Sequence, residues 1–276
     1  MSAMERKNCY VSSTINTASE GYKQSSRTVQ NESGKMFIET EVQPQAGDTI
    51  LDLGCGTGEL SAYLAQLVGN SGKVVGVDPD KERLELAKKS HSNIDNLSFI
   101  EGSSSNFPGM GSESYDIIFS NYVLHWIPDK SNAFRNMYAS LKRNGHAKIA
   151  AQYVSYLFPF MTSAFKELNP ENAEHLLDMF NFEARSTIEQ YCSAAGFDIV
   201  KSYDAQIAKY VFESIEALLK WLWSTTHGAF DPSLVTEDRL QNYYPYSSRN
   251  GQPPFDFSGI EEESTICRLV ANKKVS

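Results

Sequence analysis

A chain of 276 residues with 41 % hydrophobic content holds enough apolar material for one large α/β core, or for that core with a small appended cap. Its net charge of −9 is carried with dispersed Lys and Arg, so no concentrated basic face meets nucleic-acid phosphates and a small-molecule partner is expected; oligomeric state is silent. No apolar run approaches the roughly 18 to 20 residues of a membrane span, no basic-then-apolar leader opens the chain, and Cys9, Cys55, Cys192 and Cys267 are too scattered for a zinc or redox motif, so a cytoplasmic, metal-free protein is the expectation.

The arm at 1–45 is polar until Met36-Phe37-Ile38, where helical spacing begins, and Pro44 ends it. Such an arm can fold over a ligand as a lid, with Tyr22, Gln24 and Gln30 as candidate contacts; a solvated helix with surface glutamines is the alternative. From Asp48 the pattern alternates, with strands at 49–53, 73–78, 97–101, 115–120 and 145–153 and helices at 59–68, 81–90 and 130–142. The strands are near-continuous apolar runs, as expected when helices cover both faces, so the fold class is an α/β, Rossmann-like doubly wound sheet. Ligands of such a sheet gather at the C-terminal strand ends, where Gly54, Asp78, Gly102 and Asn121 fall.

The first of those ends carries the chemistry. Ile50-Leu51-Asp52-Leu53-Gly54-Cys55-Gly56-Thr57-Gly58 breaks a buried strand into alternate glycines and then opens a helix. Without a Cβ, Gly54, Gly56 and Gly58 let something lie against the main chain, and the helix start presents unpaired N–H groups. A dinucleotide fingerprint reads G-x-G-x-x-G; this loop reads G-x-G-x-G behind Asp52, an acid that repels a pyrophosphate and attracts a cation such as the amino group or sulfonium of S-adenosylmethionine. Asp78, about twenty residues past the last glycine and followed by Pro79, stands where an acid accepts ribose hydroxyls. Cys55, held between glycines, reads as packing.

Beyond the core strands, 154–185 is rich in aromatics and Met, and with 212–260 it is expected to form helical cap regions on a single domain spanning 1–276. Ser186-Thr187-Ile188-Glu189 has the form of a capping box opening a helix, 197–210 reads as a strand, and Ile215, Leu218, Leu219, Leu222 and Trp223 mark an amphipathic helix. The stretch 241–260 reads as a long loop, and 264–272 as the last strand.

On Asp52, Gly54, Gly56, Gly58 and Asp78 the sequence resembles class I S-adenosylmethionine-dependent methyltransferases. The resemblance implies seven strands with the last one inserted antiparallel, and S-adenosylhomocysteine as the spent cofactor. Where such enzymes carry an adenine-contacting aspartate, this chain has Ser103, followed by Ser104; a hydroxyl and a backbone N–H can still serve the base. The element Leu124-His125-Trp126 resembles the juvenile hormone acid methyltransferases. That likeness implies that Trp126 and a glutamine of the N-terminal arm hold a substrate carboxylate; with one inserted residue that glutamine is Gln30, with Gln24 as the fallback.

The reaction implied is methylation of a small, partly hydrophobic carboxylic acid to a methyl ester. A carboxylate is ionised at neutral pH, so in-line orientation by neutral donors, the Gln30 amide and the Trp126 indole, suffices without a base. His125 reads either as a structural anchor or as a base for an amine or phenol acceptor. An N- or O-methyltransferase of that kind, or a non-catalytic S-adenosylmethionine-binding regulator, remain the alternatives.

Overall fold

The computed structural model describes Ala18 and residues 30–205, 210–257 and 266–274. The chain divides into two compact units, one formed by 27–156, 181–207 and 265–276, the other by 1–26, 157–180 and 208–264.

The first unit is built on a seven-stranded sheet of order β3-β2-β1-β4-β5-β9-β6. Its strands are β1 (Thr49–Leu53), β2 (Lys73–Asp78), β3 (Leu97–Glu101), β4 (Ile117–Asn121), β5 (Lys148–Val154), β6 (Phe197–Ala205) and β9 (Ile266–Lys273). Strands β3 to β5 run parallel, and β9 is inserted antiparallel between β5 and β6, as the last strand was expected to be. Its helices are α1 (Glu32–Phe37, continued by a π turn over Ile38–Val42), α2 (Glu59–Val68), α3 (Lys81–Ser90), α4 (Lys130–Ser140) and α7 (Arg185–Ala194).

Successive strand side chains point to opposite faces, and the apolar runs therefore feed two cores. Leu51, Val75, Ile118, Ile149 and Leu269 pack toward Phe134 and Met137 of α4 and Ile188 and Cys192 of α7. Their neighbours Ile50, Val74, Ile117, Ala150 and Val270 pack toward Phe37 and Ile38 of the first helical segment and Leu60, Leu64 and Val68 of α2. Each such side chain contributes about 1.5–3 kcal/mol when fully buried.

The local pattern misplaces some boundaries. β4 begins at Ile117, because Tyr115 leaves the β1 ladder to bridge Leu141. The capping box does not form: α7 starts at Arg185 with Ala184 as its N-cap and no side-chain cap. Glu189 instead accepts from Arg185 Nη1 and from Ser202 Oγ on β6, each at 2.6 Å, which draws it off the helix start.

In the second unit the helices are α5 (Pro159–Leu168), α6 (Ala173–Asp178), α8 (Ile215–Thr225), α9 (Glu237–Asn242) and α10 (Tyr244–Ser247), and β7 (Val211–Phe212) pairs with β8 (Phe255–Asp256). Of the strand expected over 197–210, β6 forms Phe197–Ala205, and β7 of the separate ribbon begins beyond it at Val211. The expected loop at 241–260 contains regular structure, because Thr236 caps α9 through Arg239 N and Pro245 sits in the first turn of α10. The aromatics of this unit pack on one another: Phe160 stacks on Phe257 at 4.4 Å between centroids and meets Phe158, Tyr210 and Trp221 within 6 Å.

Candidate functional site

Between β1 and α2 the chain turns through Gly54, Gly56 and Gly58 with φ of 78°, 55° and 87°, a conformation that glycine adopts without steric cost. Gly54 N and Cys55 N both donate to Val77 O, at 2.7 and 3.0 Å, and Gly56 N donates to Asp78 Oδ2 at 2.8 Å. The turn is therefore stitched to the end of β2. A Cβ on Gly54 would lie 2.2 Å from Val123 Cγ2, so the segment after β4 rests directly on the glycine loop. Gly58 caps α2 without any side-chain bond to the N–H groups of its first turn. Beside it Thr57 Oγ1 donates to Glu59 Oε2 at 2.6 Å, while Glu59 Oε1 is buried with no protein partner.

Two acids flank this turn. Asp52 is 2 % exposed and accepts from Ser61 Oγ at 2.5 Å. Burial pushes its carboxyl up to about 7; the Ser61 bond opposes that rise and the charge of Asp78 adds to it. Asp78 accepts from Gly56 N and Asp80 N, one on each oxygen, which orients the carboxylate and leaves each oxygen a second lone pair. Pro79 is exposed and leads to Asp80, whose side chain caps α3. Burial, with the nearby charges of Asp52 and Asp78, pushes the Cys55 thiol well up, so Cys55 is a packing residue and not a thiolate.

At the end of β3, Gly102 N donates to Asp78 O at 3.1 Å, which sets the next turn beside Asp78. Ser103 bridges Asn106, its hydroxyl lies 3.0 Å from Ser105 Oγ, and Ser104 O accepts from Asn136 Nδ2 at 3.0 Å.

β4 ends at Asn121, and the structure brings this residue together with Gln30. Asn121 Nδ2 donates to Gln30 O at 3.3 Å, and Gln30 Oε1 is buried with no protein partner. Tyr22 and Gln24 lie outside the described residues. Tyr122 then takes a left-handed φ of 60°, held by donation of its N–H to Gln152 O at 2.7 Å, and swings the chain into a 3-10 turn over Leu124–Trp126. Such strain in a bulky residue persists only where its surroundings enforce it.

Within that turn His125 is 8 % exposed, and its ring stacks on Phe182 at 5.5 Å and 12°. Burial, with the charge of Lys130 adding, pushes its imidazole down to about 3. Its carbonyl accepts from Asn181 N at 2.7 Å. Trp126 is half-buried, its ring 5.8 Å from that of His125. Below the turn, buried Lys130 donates from Nζ to Ile127 O at 2.9 Å and Asn181 O at 2.5 Å.

Several residues of this region escape sequence reasoning. Ser61 and Val123 look like ordinary helix and loop positions. Gln152 and Arg268 carry a signal in hindsight, each being a lone polar residue inside an apolar strand run, Ala-Ala-Gln-Tyr-Val and Ile-Cys-Arg-Leu-Val.

A parallel sheet whose first strand runs through an acid into a glycine turn, with a second acid closing the next strand, defines a nucleotide-type ligand site. Residues 44–214 match the methyltransferase-domain family, and the chain belongs to it. Demethylmenaquinone methyltransferase of Staphylococcus epidermidis is 24 % identical over 227 residues, covering 75 % of this chain and 94 % of its own. Arsenite methyltransferase of Mus musculus is 36 % identical over 120 residues, 40 % of this chain and 32 % of its own. Among solved structures, the YcgJ protein from Bacillus subtilis superposes with a TM-score of 0.59 at 18 % identity, covering 88 % of this chain and 99 % of its own. Geranyl diphosphate C-methyltransferase from Streptomyces coelicolor, bound to Mg2+, geranyl diphosphate and S-adenosylhomocysteine, does so with a TM-score of 0.55 at 14 % identity, covering 88 % and 79 %.

The chain is thus an S-adenosylmethionine-dependent methyltransferase, and the reading as a non-catalytic regulator is set aside. No helix among the described residues is long and apolar enough to cross a membrane.

Proposed function

We propose that the chain methylates a small, partly hydrophobic carboxylic acid, with Gln30 and Trp126 orienting the carboxylate. Asp52, Gly54, Gly56, Gly58, Asp78, Pro79, Ser103 and Ser104 are assigned to the cofactor side, and Asn121 joins them through its main chain, its amide being bonded to Gln152 and Gln30. The residues present suit that cofactor: a positive-φ glycine turn that keeps its main chain bare, a buried acid for a cation, and an oriented carboxylate for hydroxyls. S-adenosylmethionine, when bound, supplies an electrophilic methyl on a positively charged sulfur. The acceptor carboxylate oxygen forms the new C–O bond as the C–S bond breaks, and the bonding pair stays on sulfur. A methyl ester and S-adenosylhomocysteine result, and no proton moves.

The observation that carries this reading is His125. A buried imidazole pushed down to about 3 and stacked on Phe182 is a weak base, which disfavours a phenol or amine that must shed a proton, and favours an acceptor already ionised. The side-chain oxygen of half-buried Gln30 is buried and unclaimed by the protein, so an amide turned over presents its N–H donors at that position. An arsenite acceptor of the kind named for the mouse relative finds less support, since burial holds the Cys192 and Cys267 thiols up at about 12 and about 11.

The test is methyl transfer from radiolabelled S-adenosylmethionine to fatty, isoprenoid, di- and tricarboxylic acids beside phenols, quinols and amines. A base-labile methyl ester on an acid is the expected product. Base-stable label on a phenol, amine or ring carbon, with the acids untouched, overturns the reading.

A further inference from the structure

One row of side chains crosses four adjacent strands of the sheet. Asn121 on β4 is registered against Gln152 on β5, Gln152 against Arg268 on β9, and Arg268 against Tyr203 on β6. Cross-strand partners share a face, and here they are bonded in sequence. Arg268 Nε donates to Gln152 Oε1 at 2.8 Å, Gln152 Nε2 donates to Asn121 Oδ1 and to Ser33 Oγ at 3.0 Å each, Ser33 Oγ can also donate to Gln152 Oε1 at 3.2 Å, and Asn121 Nδ2 donates to Gln30 O at 3.3 Å. Arg268 is neutralised from behind by Glu41, 3.0 Å away, whose carboxylate also accepts from Tyr203.

The direction of this chain is forced by chemistry. An arginine has donors only, so Gln152 must turn its oxygen toward Arg268 and its nitrogen toward Asn121. Asn121 must then spend its oxygen on Gln152 and aim its nitrogen at Gln30. Gln152 is fully buried, so water does not substitute for any of these partners. The same amide holds Ser33 of α1, and Gly34 approaches so closely that a Cβ there would lie 3.0 Å from Asn121 Nδ2 and 2.5 Å from Leu60 Cδ1.

We infer that Gln152 is a positioning residue for the methyl transfer: through a one-way donor relay from Arg268 it fixes Asn121 and Ser33, and so docks the start of α1 and sets Gln30 at the acceptor. The inference rests on the reading of Gln30 as an acceptor contact. Asn121 in this arrangement takes the Gln152 donor on its amide oxygen and reaches the Gln30 carbonyl with its amide nitrogen.

Gln152→Glu tests the polarity. A carboxylate keeps the Arg268 contact but has no donor for Asn121; if Asn121 flips to satisfy it, an oxygen then faces the Gln30 carbonyl, so the conflict reaches Gln30 either way. Hydrogen exchange of residues 30–42 is followed in the full chain for Gln152→Glu, Gln152→Met and the milder Ser33→Ala, with S-adenosylhomocysteine affinity measured alongside. Exchange over 30–42 rises by about tenfold in both Gln152 variants and by about threefold in Ser33→Ala, β1 exchange is unchanged, and the S-adenosylhomocysteine Kd stays within about twofold. With decanoate as the acceptor probe, KM rises by about tenfold while the cofactor Kd holds. Unchanged exchange over 30–42 in folded Gln152→Glu overturns the relay, as does a uniform rise across all strands, which marks a merely structural residue. Should one variant not fold, Ser33→Ala, which removes only one half-buried hydroxyl, decides by the same exchange. If wild-type chain leaves decanoate untouched, the acceptor reading is at fault, and the exchange result still decides the relay.

Discussion

Ser61, in the first turn of α2, donates to Asp52 Oδ2 at 2.5 Å, yet burial still pushes the Asp52 carboxyl up to about 7. A cation beside Asp52 favours the ionised form, so cofactor binding at or below neutral pH releases a proton. The expected S-adenosylmethionine Kd falls about tenfold per pH unit as pH rises toward about 7 and levels off above it. Calorimetry in buffers of different ionisation enthalpy reads the released proton directly, and Asp52→Asn abolishes it. A Kd flat across that range removes Asp52 from the cofactor site. The sign for stability is opposite: a carboxyl raised above its unfolded value near 3.8 stabilises the cofactor-free fold fully below that value, and the contribution is lost as pH rises through about 7.

Gly54→Ala combines two penalties. An alanine at a φ of 78° costs about 1–2 kcal/mol, and its Cβ would meet Val123 Cγ2 at 2.2 Å, forcing the segment after β4 off the glycine turn for about 1–3 kcal/mol more. Thermal unfolding and S-adenosylhomocysteine affinity are expected to fall together. Val123→Ala relieves the clash alone, so in the double variant about half of the stability loss returns while the backbone penalty stays. No recovery there shows that the contact with Val123 contributes nothing.

The glycine turn and its two acids are legible in the sequence because strand, turn and helix follow one another within a short stretch, and the glycines at 54, 56 and 58 and the acids at 52 and 78 each have a local reason. What lies across the sheet is not legible. That Arg268 meets Gln152 depends on β9 entering antiparallel in one register between β5 and β6, and a shift by one residue would turn it to the other face. Ser186 fails as a cap for a related reason, since Glu189 is claimed by Ser202 on another element. The helices at 237–242 and 244–247 were masked by a Tyr- and Pro-rich stretch whose caps, Thr236 and Pro245, become apparent only with the backbone.

His125→Gln distinguishes anchoring from base catalysis. The imidazole is buried, pushed down to about 3 and stacked on Phe182, so removing it costs packing, about 1–3 kcal/mol in urea unfolding, and leaves the proton inventory of the reaction unchanged. Turnover of a carboxylic acid is expected to persist within about tenfold, with a pH profile parallel to that of the wild type. A loss of about a thousandfold at unchanged cofactor affinity would establish His125 as a base.

Lys130 ties the turn that carries Trp126 to the segment where the chain re-enters the sheet unit. Its side chain is 1 % exposed, and Nζ donates to Ile127 O at 2.9 Å and Asn181 O at 2.5 Å, with Glu183 Oε1 at 3.5 Å. Lys130→Met keeps the stem and its packing while leaving the carbonyls of Ile127 and Asn181 without this donor, a loss of about 3 kcal/mol in denaturant unfolding. Because Asn181 N also donates to His125 O at 2.7 Å, the freed carbonyl of Asn181 sits on the same strap, and the 124–126 turn loosens with it. The expected kinetic effect is a rise in acceptor KM with S-adenosylhomocysteine affinity unchanged, since no bond of Lys130 reaches Asp52, Asp78 or the glycine turn. Equal losses in both affinities would mean that Lys130 supports the whole sheet edge and not the Trp126 turn.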